Sequence, residues 1–115
     1  MVWHLVLMTP RPDLSGADQR ALLDAFEHAC REIPTVRDVH VGRRVTFGAG
    51  YEAAMPDTAD YVIALAFDNV GGLQTYLQHP AHEELGTRFN QSLTSALVYD
   101  FEVGGVEELR RSLLL

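Results

Sequence analysis

Four stretches of the chain carry apolar residues at alternating positions, and the segments between them repeat at helical spacing. Val2 to Thr9 is apolar on both alternating faces. One face carries Val2, His4, Val6 and Met8, the other Trp3, Leu5 and Leu7, and Pro10 and Pro12 end the run. A strand covered on both sides is predicted. Ser15 followed by Asp18 marks a helix start, and Leu22, Phe26, Ala29 and Ile33 keep one face until Pro34, which predicts a helix over Gly16 to Glu32. Val36 to Val45 sets Val39 and Val41 against His40, a strand with one wetter face and a solvated histidine. Phe47 to Thr58 has no period and reads as a loop long enough to fold over a pocket.

Asp60 to Phe67 predicts a third strand, with Tyr61, Ile63, Leu65 and Phe67 on one face and the smaller Val62, Ala64 and Ala66 on the other. Helical spacing resumes at Leu73, is interrupted at His79-Pro80, and continues through Leu85, Phe89 and Leu93. A last strand is predicted from Ala96 to Val103, its Leu97, Tyr99, Phe101 and Val103 alternating with Asp100 and Glu102, which read as surface charge. Gly104 and Gly105 set off residues 104–115, where Val106, Leu109 and Leu113 predict a short amphipathic helix. The resulting order, β-α-β-β-α-β, is the ferredoxin-like α+β arrangement, a sheet with its helices on one face. Two strands that are apolar on both sides leave the uncovered face hydrophobic, so a sheet-to-sheet homodimer, a dimeric α/β barrel, is expected.

Chemistry concentrates in Tyr76-Leu77-Gln78-His79-Pro80-Ala81-His82. Pro80 lacks an amide donor and disfavours helical torsions at His79, so one helix stops there and a second starts. With Pro80 at the first helical position, His82, Phe89 and Leu93 fall within about 20° of one direction, and His82 points with the apolar stripe. An imidazole so placed either caps a core hydrogen bond or lines a pocket. Tyr76 sits beside Val70, Leu73 and Leu77, at the edge of their face.

Composition narrows the classes. One domain fits 115 residues, and a formal net charge of −7 opposes nonspecific binding to nucleic acid or an anionic membrane. All nine basic residues are Arg, which removes lysine Schiff-base chemistry. The lone Cys30 lies on the apolar side of the first helix and reads as a structural thiol, and the apolar start is too short to span a bilayer. A cytoplasmic protein is expected. No glycine-rich phosphate loop or nucleophile elbow occurs.

The His4-Leu5-Val6-Leu7 start, Ile33-Pro34 followed by Val39 and Val41-Gly42, and above all the Tyr76 to His82 segment resemble the stress-responsive dimeric A/B barrel (Dabb) family over Met1 to about Val103. The resemblance implies a homodimer of ferredoxin-like subunits. It also implies that the catalytic histidine of a cofactor-free polyketide cyclase in that family falls on His82, its partner tyrosine on Tyr76 and a first-strand pocket histidine on His4. A further pocket histidine of that cyclase, on the third strand, is replaced here by Tyr61.

These positions give His82 as a base removing a proton alpha to a carbonyl, Tyr76 as the donor to the carbonyl oxygen, and His4, Tyr61, His79 and Phe89 as pocket residues, with His79 chiefly shaping the elbow. The ligand would be a small apolar carbonyl compound, and no cofactor is implied. The alternatives are a noncatalytic stress or ligand-binding dimer and a monooxygenase-like or haem-handling barrel. A metal held by His79, His82 and His4 is disfavoured because the proline aims the first two differently. Arg43 and Arg44, adjacent on a strand, read as a solvated pair rather than an anion clamp.

Overall fold

The computed structural model describes residues 1–114. In chain order the elements are β1 (Val2–Pro10), α1 (Gly16–Glu32), β2 (Asp38–Arg43), α2 (Gly50–Ala54), β3 (Tyr61–Phe67), α3 (Val70–Gln78), α4 (Pro80–Ser92), β4 (Leu93–Glu102) and α5 (Val106–Leu113). The strands form one antiparallel sheet in the order β2-β3-β1-β4. This is the ferredoxin-like α+β fold that the element order predicts.

Local signals account for the helix boundaries. Ser15 Oγ accepts from the Asp18 amide at 3.1 Å and starts α1, and Asn69 Oδ1 accepts from the Gly72 amide at 2.9 Å and starts α3. The Asn69 cap places the beginning of α3 at Val70, three residues before the apolar repeat becomes visible. Strand β4 likewise begins at Leu93, straight out of α4, rather than at Ala96.

One side of the sheet packs Val2, Val6, Ile63, Leu65 and Phe67 against Leu22, Ala25 and Ala29 of α1, Leu73 of α3 and Leu85 of α4. Phe67, Ile33, Leu65 and Leu85 are the largest fully enclosed side chains. Cys30 is half-buried against this core, and burial pushes its thiol pKa up, as a structural cysteine requires.

The other side of the sheet has no helix against it. Cross-strand register pairs Trp3 with Phe101, Leu5 with Tyr99 and Leu7 with Leu97 there, and Trp3, Leu97, Tyr99 and Phe101 are 36, 46, 47 and 49% exposed. Helix α5 projects with none of its residues buried; Val106, Leu109 and Leu113 are exposed, and Glu107–Arg110 and Glu108–Arg111 pair along its polar side. Among the described residues no helix is long and apolar enough to cross a membrane.

The 47–58 stretch departs from the loop expected of it. It contains α2, organised by the Glu52 carboxylate, which accepts from the Phe47 amide at 3.2 Å and also from the Ala49 amide. Because it joins β2 to β3, it lies at the opposite edge of the sheet from β4 and folds over no cavity formed there.

Candidate functional site

Helices α3 and α4 meet at His79. Its own carbonyl accepts from the His82 amide at 2.9 Å and its Nδ1 accepts from the Ala81 amide at 3.0 Å, so the imidazole is the N-cap of α4. Pro80 at the first position costs nothing there, since it has no amide to satisfy. The His79 side chain is thereby committed to the backbone and does not line the cavity. We expect His79→Ala to lose about 1 kcal/mol in urea denaturation, the usual value of an N-cap, with ligand binding at the cavity unchanged.

The elbow fixes the phase of α4. Ala81 and Leu85 turn into the core, while His82, Gly86, Phe89 and Asn90, on the neighbouring stripe, face a cavity of about 470 Å³ between α4, α3, β1 and β4. His4 and Val6 form its floor, Tyr76 and Leu77 one wall, and Leu93 to Ala96 with Val98 the side along β4. His82 and Phe89 therefore share the pocket-facing direction that their spacing predicts.

Tyr76 is not at the edge of the α3 face, as its spacing suggested. It is 2% exposed, whereas Val70 and Leu77 are 44% and 37% exposed. The buried line of α3 is Leu73 and Tyr76, one turn apart, because the sheet meets the helix on that side. The phenol ring consequently stands between two imidazoles. Its centroid lies 4.7 Å from that of His82 and 5.7 Å from that of His4, both edge-on, with Phe67 behind it at 5.3 Å.

A residue that pattern alone misses completes the cluster. Asp100, read as surface charge, points to the helix side of the sheet and its Oδ1 lies 2.6 Å from His4 Nδ1. Strand pairing places it there, since His4 is directly opposite Asp100 in the β1–β4 register and opposed residues share a face. His4 is 5% exposed. The carboxylate thereby holds the His4 ring in place beside Tyr76.

Electrostatics separate the roles. Burial, with the Cys30 thiolate adding to it, drives the Tyr76 hydroxyl far above the ordinary tyrosine value, so it remains a proton-bearing donor. Burial, then the neighbouring His4 ring, lowers the His82 pKa, against the Leu77 backbone and the Glu83 carboxylate, so the ring is neutral at pH 7.

Tyr61 lies outside this cluster. It pairs with Met8 and Arg43, on the far side of β1 from the cavity, where it borders a surface depression with Arg43, Arg44 and Asp60. Among the described residues no three His, Cys, Asp or Glu gather as a metal site would need.

Comparison with known proteins agrees with this architecture. The family model of the stress responsive A/B barrel domain matches residues 2–103. The chain belongs to that family. Olivetolic acid cyclase of Cannabis sativa is 22% identical to this A/B barrel domain over 100 residues, covering 87% of this chain and 94% of the cyclase. Among solved structures, a hydroxynitrile lyase from Passiflora edulis superposes with a TM-score of 0.74 at 14% identity, covering 90% of this chain and 93% of the lyase. A dimeric ferredoxin-like protein from Thermobifida fusca gives 0.67 at 17% identity, covering 89% of this chain and 90% of its own. At these identities the superpositions establish the fold of the A/B barrel domain and leave its chemistry to its own residues.

Proposed function

We propose that this A/B barrel domain binds a small apolar carbonyl compound between α4 and β4 and performs cofactor-free acid/base chemistry on it. The observation that carries this reading is the placement of one enclosed, protonated phenol edge-on to two imidazoles on the wall of a cavity lined by both apolar and polar side chains. Tyr76 would donate to the carbonyl oxygen and stabilise the enolate as charge develops. His82, neutral and partly accessible, would remove the proton alpha to that carbonyl and return it. His4, held by Asp100, would border the other edge of Tyr76 and fix its position. The same groups would serve an intramolecular aldol closure or a carbon–carbon cleavage that leaves a carbonyl, the two reaction types suggested by the names of the similar cyclase and lyase.

The test requires no knowledge of the natural substrate. Acetophenone incubated with the protein in D2O is expected to lose its methyl proton signal by NMR faster than in buffer, because each removal and return of a proton exchanges hydrogen for deuterium. A rise in melting temperature with acetophenone but no exchange above buffer would overturn the catalytic reading and leave a ligand-binding module.

The Asp100 contact yields a graded expectation. Asp100→Asn keeps the shape but weakens a charge-assisted hydrogen bond to a neutral one, and exchange should fall by about tenfold, the order set by roughly 1–2 kcal/mol. An unchanged exchange rate would remove Asp100 and His4 from the scheme.

We further propose that the uncovered sheet face closes against a second copy of the chain, giving the barrel its second half. The exposed aromatic rows on β1 and β4 support this, as does the dimeric description of the Thermobifida fusca relative.

A further inference from the structure

We propose that Gly86 sets the size limit of the ligand, its missing side chain being the space in which an apolar tail lies. This rests on the carbonyl-binding reading and extends it to the shape of the ligand. Gly86 is inside α4, one turn after His82 and one turn before Phe89 and Asn90, on the stripe that lines the cavity. A Cβ built on it meets no heavy atom within 4 Å. Gly72 differs, since a Cβ there would lie 3.5 Å from Thr35 and 3.6 Å from Phe67, where the helix packs close to its neighbours. Nor does backbone conformation require glycine at 86, because Gly48 is the glycine with positive φ. Glycine within a helix lowers stability relative to alanine through the backbone freedom it loses on folding. Neither packing nor backbone geometry offsets that loss at 86. What the glycine adds is open volume beside the acid/base pair.

The geometry also orients the ligand. With its carbonyl at Tyr76 and His82, a tail can run along α4 past Gly86 toward Phe89 and Leu93, over Val6, Ala96 and Val98. An unbranched alkyl tail fits this strip, and an alanine methyl would project into it.

Acetophenone, butyrophenone and hexanophenone share a head group and lengthen the tail, and they can be titrated calorimetrically into the parent and into Gly86→Ala. The parent should bind the longer ketones more tightly, by about fourfold per methylene where the added group is fully enclosed. In Gly86→Ala, acetophenone affinity should hold while the gain for hexanophenone is lost. The ligand-free variant should melt about 3 °C higher, as removal of an uncompensated helix glycine implies. The proposal is overturned if the hexanophenone-to-acetophenone affinity ratio is the same in the two proteins, or if Gly86→Ala melts lower than the parent. If the parent binds none of the three ketones, the carbonyl-binding reading itself fails and this inference with it, a result distinct from binding with an unchanged ratio.

Discussion

Replacing Tyr99 and Phe101 together by aspartate is expected to yield a folded monomer, where the parent is expected to sediment as a dimer at micromolar concentration. The two rings stack on the uncovered face with centroids 6.0 Å apart, and the register sets them beside Leu5 and Trp3 of β1. Large aromatic side chains each bury about 150–250 Å² when covered. Partly exposed apolar side chains in adjacent rows therefore form one contiguous patch, the kind of surface that marks an interaction site. In a face-to-face dimer an aspartate at either position would lose its hydration without gaining a cation, a cost of several kcal/mol per ion, and two-fold symmetry places it twice. The folded chain should tolerate both substitutions, because β4 presents these residues away from the helix-covered core. Far-UV circular dichroism should stay that of the parent while the sedimenting mass halves. A double variant that remains dimeric would show that the chains associate through some other surface, and α5 would be the next to truncate.

What the sequence disclosed, and what it withheld, follows from the range of each interaction. The bounds of α1 are legible because both ends are local: Ser15 caps the helix from three residues away and Pro34 stops it. The direction of His82 is legible for the same reason, since Pro80 fixes where α4 starts and a 3.6-residue period does the rest. Tyr76 is harder. Val70, Leu73 and Leu77 look like a stripe, but the sheet covers the side holding Leu73 and Tyr76, and nothing within α3 announces which side that will be.

Asp100 was missed because alternation assigns residues to two faces without saying which is inside. The apolar parity of β4, Leu97, Tyr99 and Phe101, turns out to be the one no helix covers, and the parity carrying Asp100 faces the cavity. Strand order supplies the missing step. A ferredoxin-like sheet sets β1 between β3 and β4, so His4 has two cross-strand neighbours, Leu65 on β3 and Asp100 on β4, 96 residues away, and Asp100 is the carboxylate in register. Tyr61 fails by the same logic. Its parity matches His4, but its register opposes Met8 and β1 stands between it and the cavity.

His82→Gln is expected to lower the rate of acetophenone hydrogen exchange by about 100- to 10,000-fold, the usual contribution of a positioned general base, with the fold retained. Glutamine is close in size and polar, but it has no nitrogen that accepts a proton at neutral pH. Acetophenone should still raise the melting temperature of the variant, since Tyr76 and the apolar walls remain. The pH dependence gives a second, independent readout. Burial lowers the pKa of His82 in the folded chain, so the free base persists below the ordinary histidine range, and parent activity should hold through neutrality and fall as acid passes that lowered pKa. Stability moves with the same sign. Below the unfolded histidine pKa, near 6.5, the unfolded chain binds a proton that the folded chain resists, so the contribution of His82 is present above that range and is lost as pH falls through the folded value. His82→Gln should flatten that part of the stability profile. Exchange in His82→Gln that matches the parent across this pH range would exclude His82 as the base and leave the imidazole of His4, the other ring edge-on to Tyr76, as the group to substitute next.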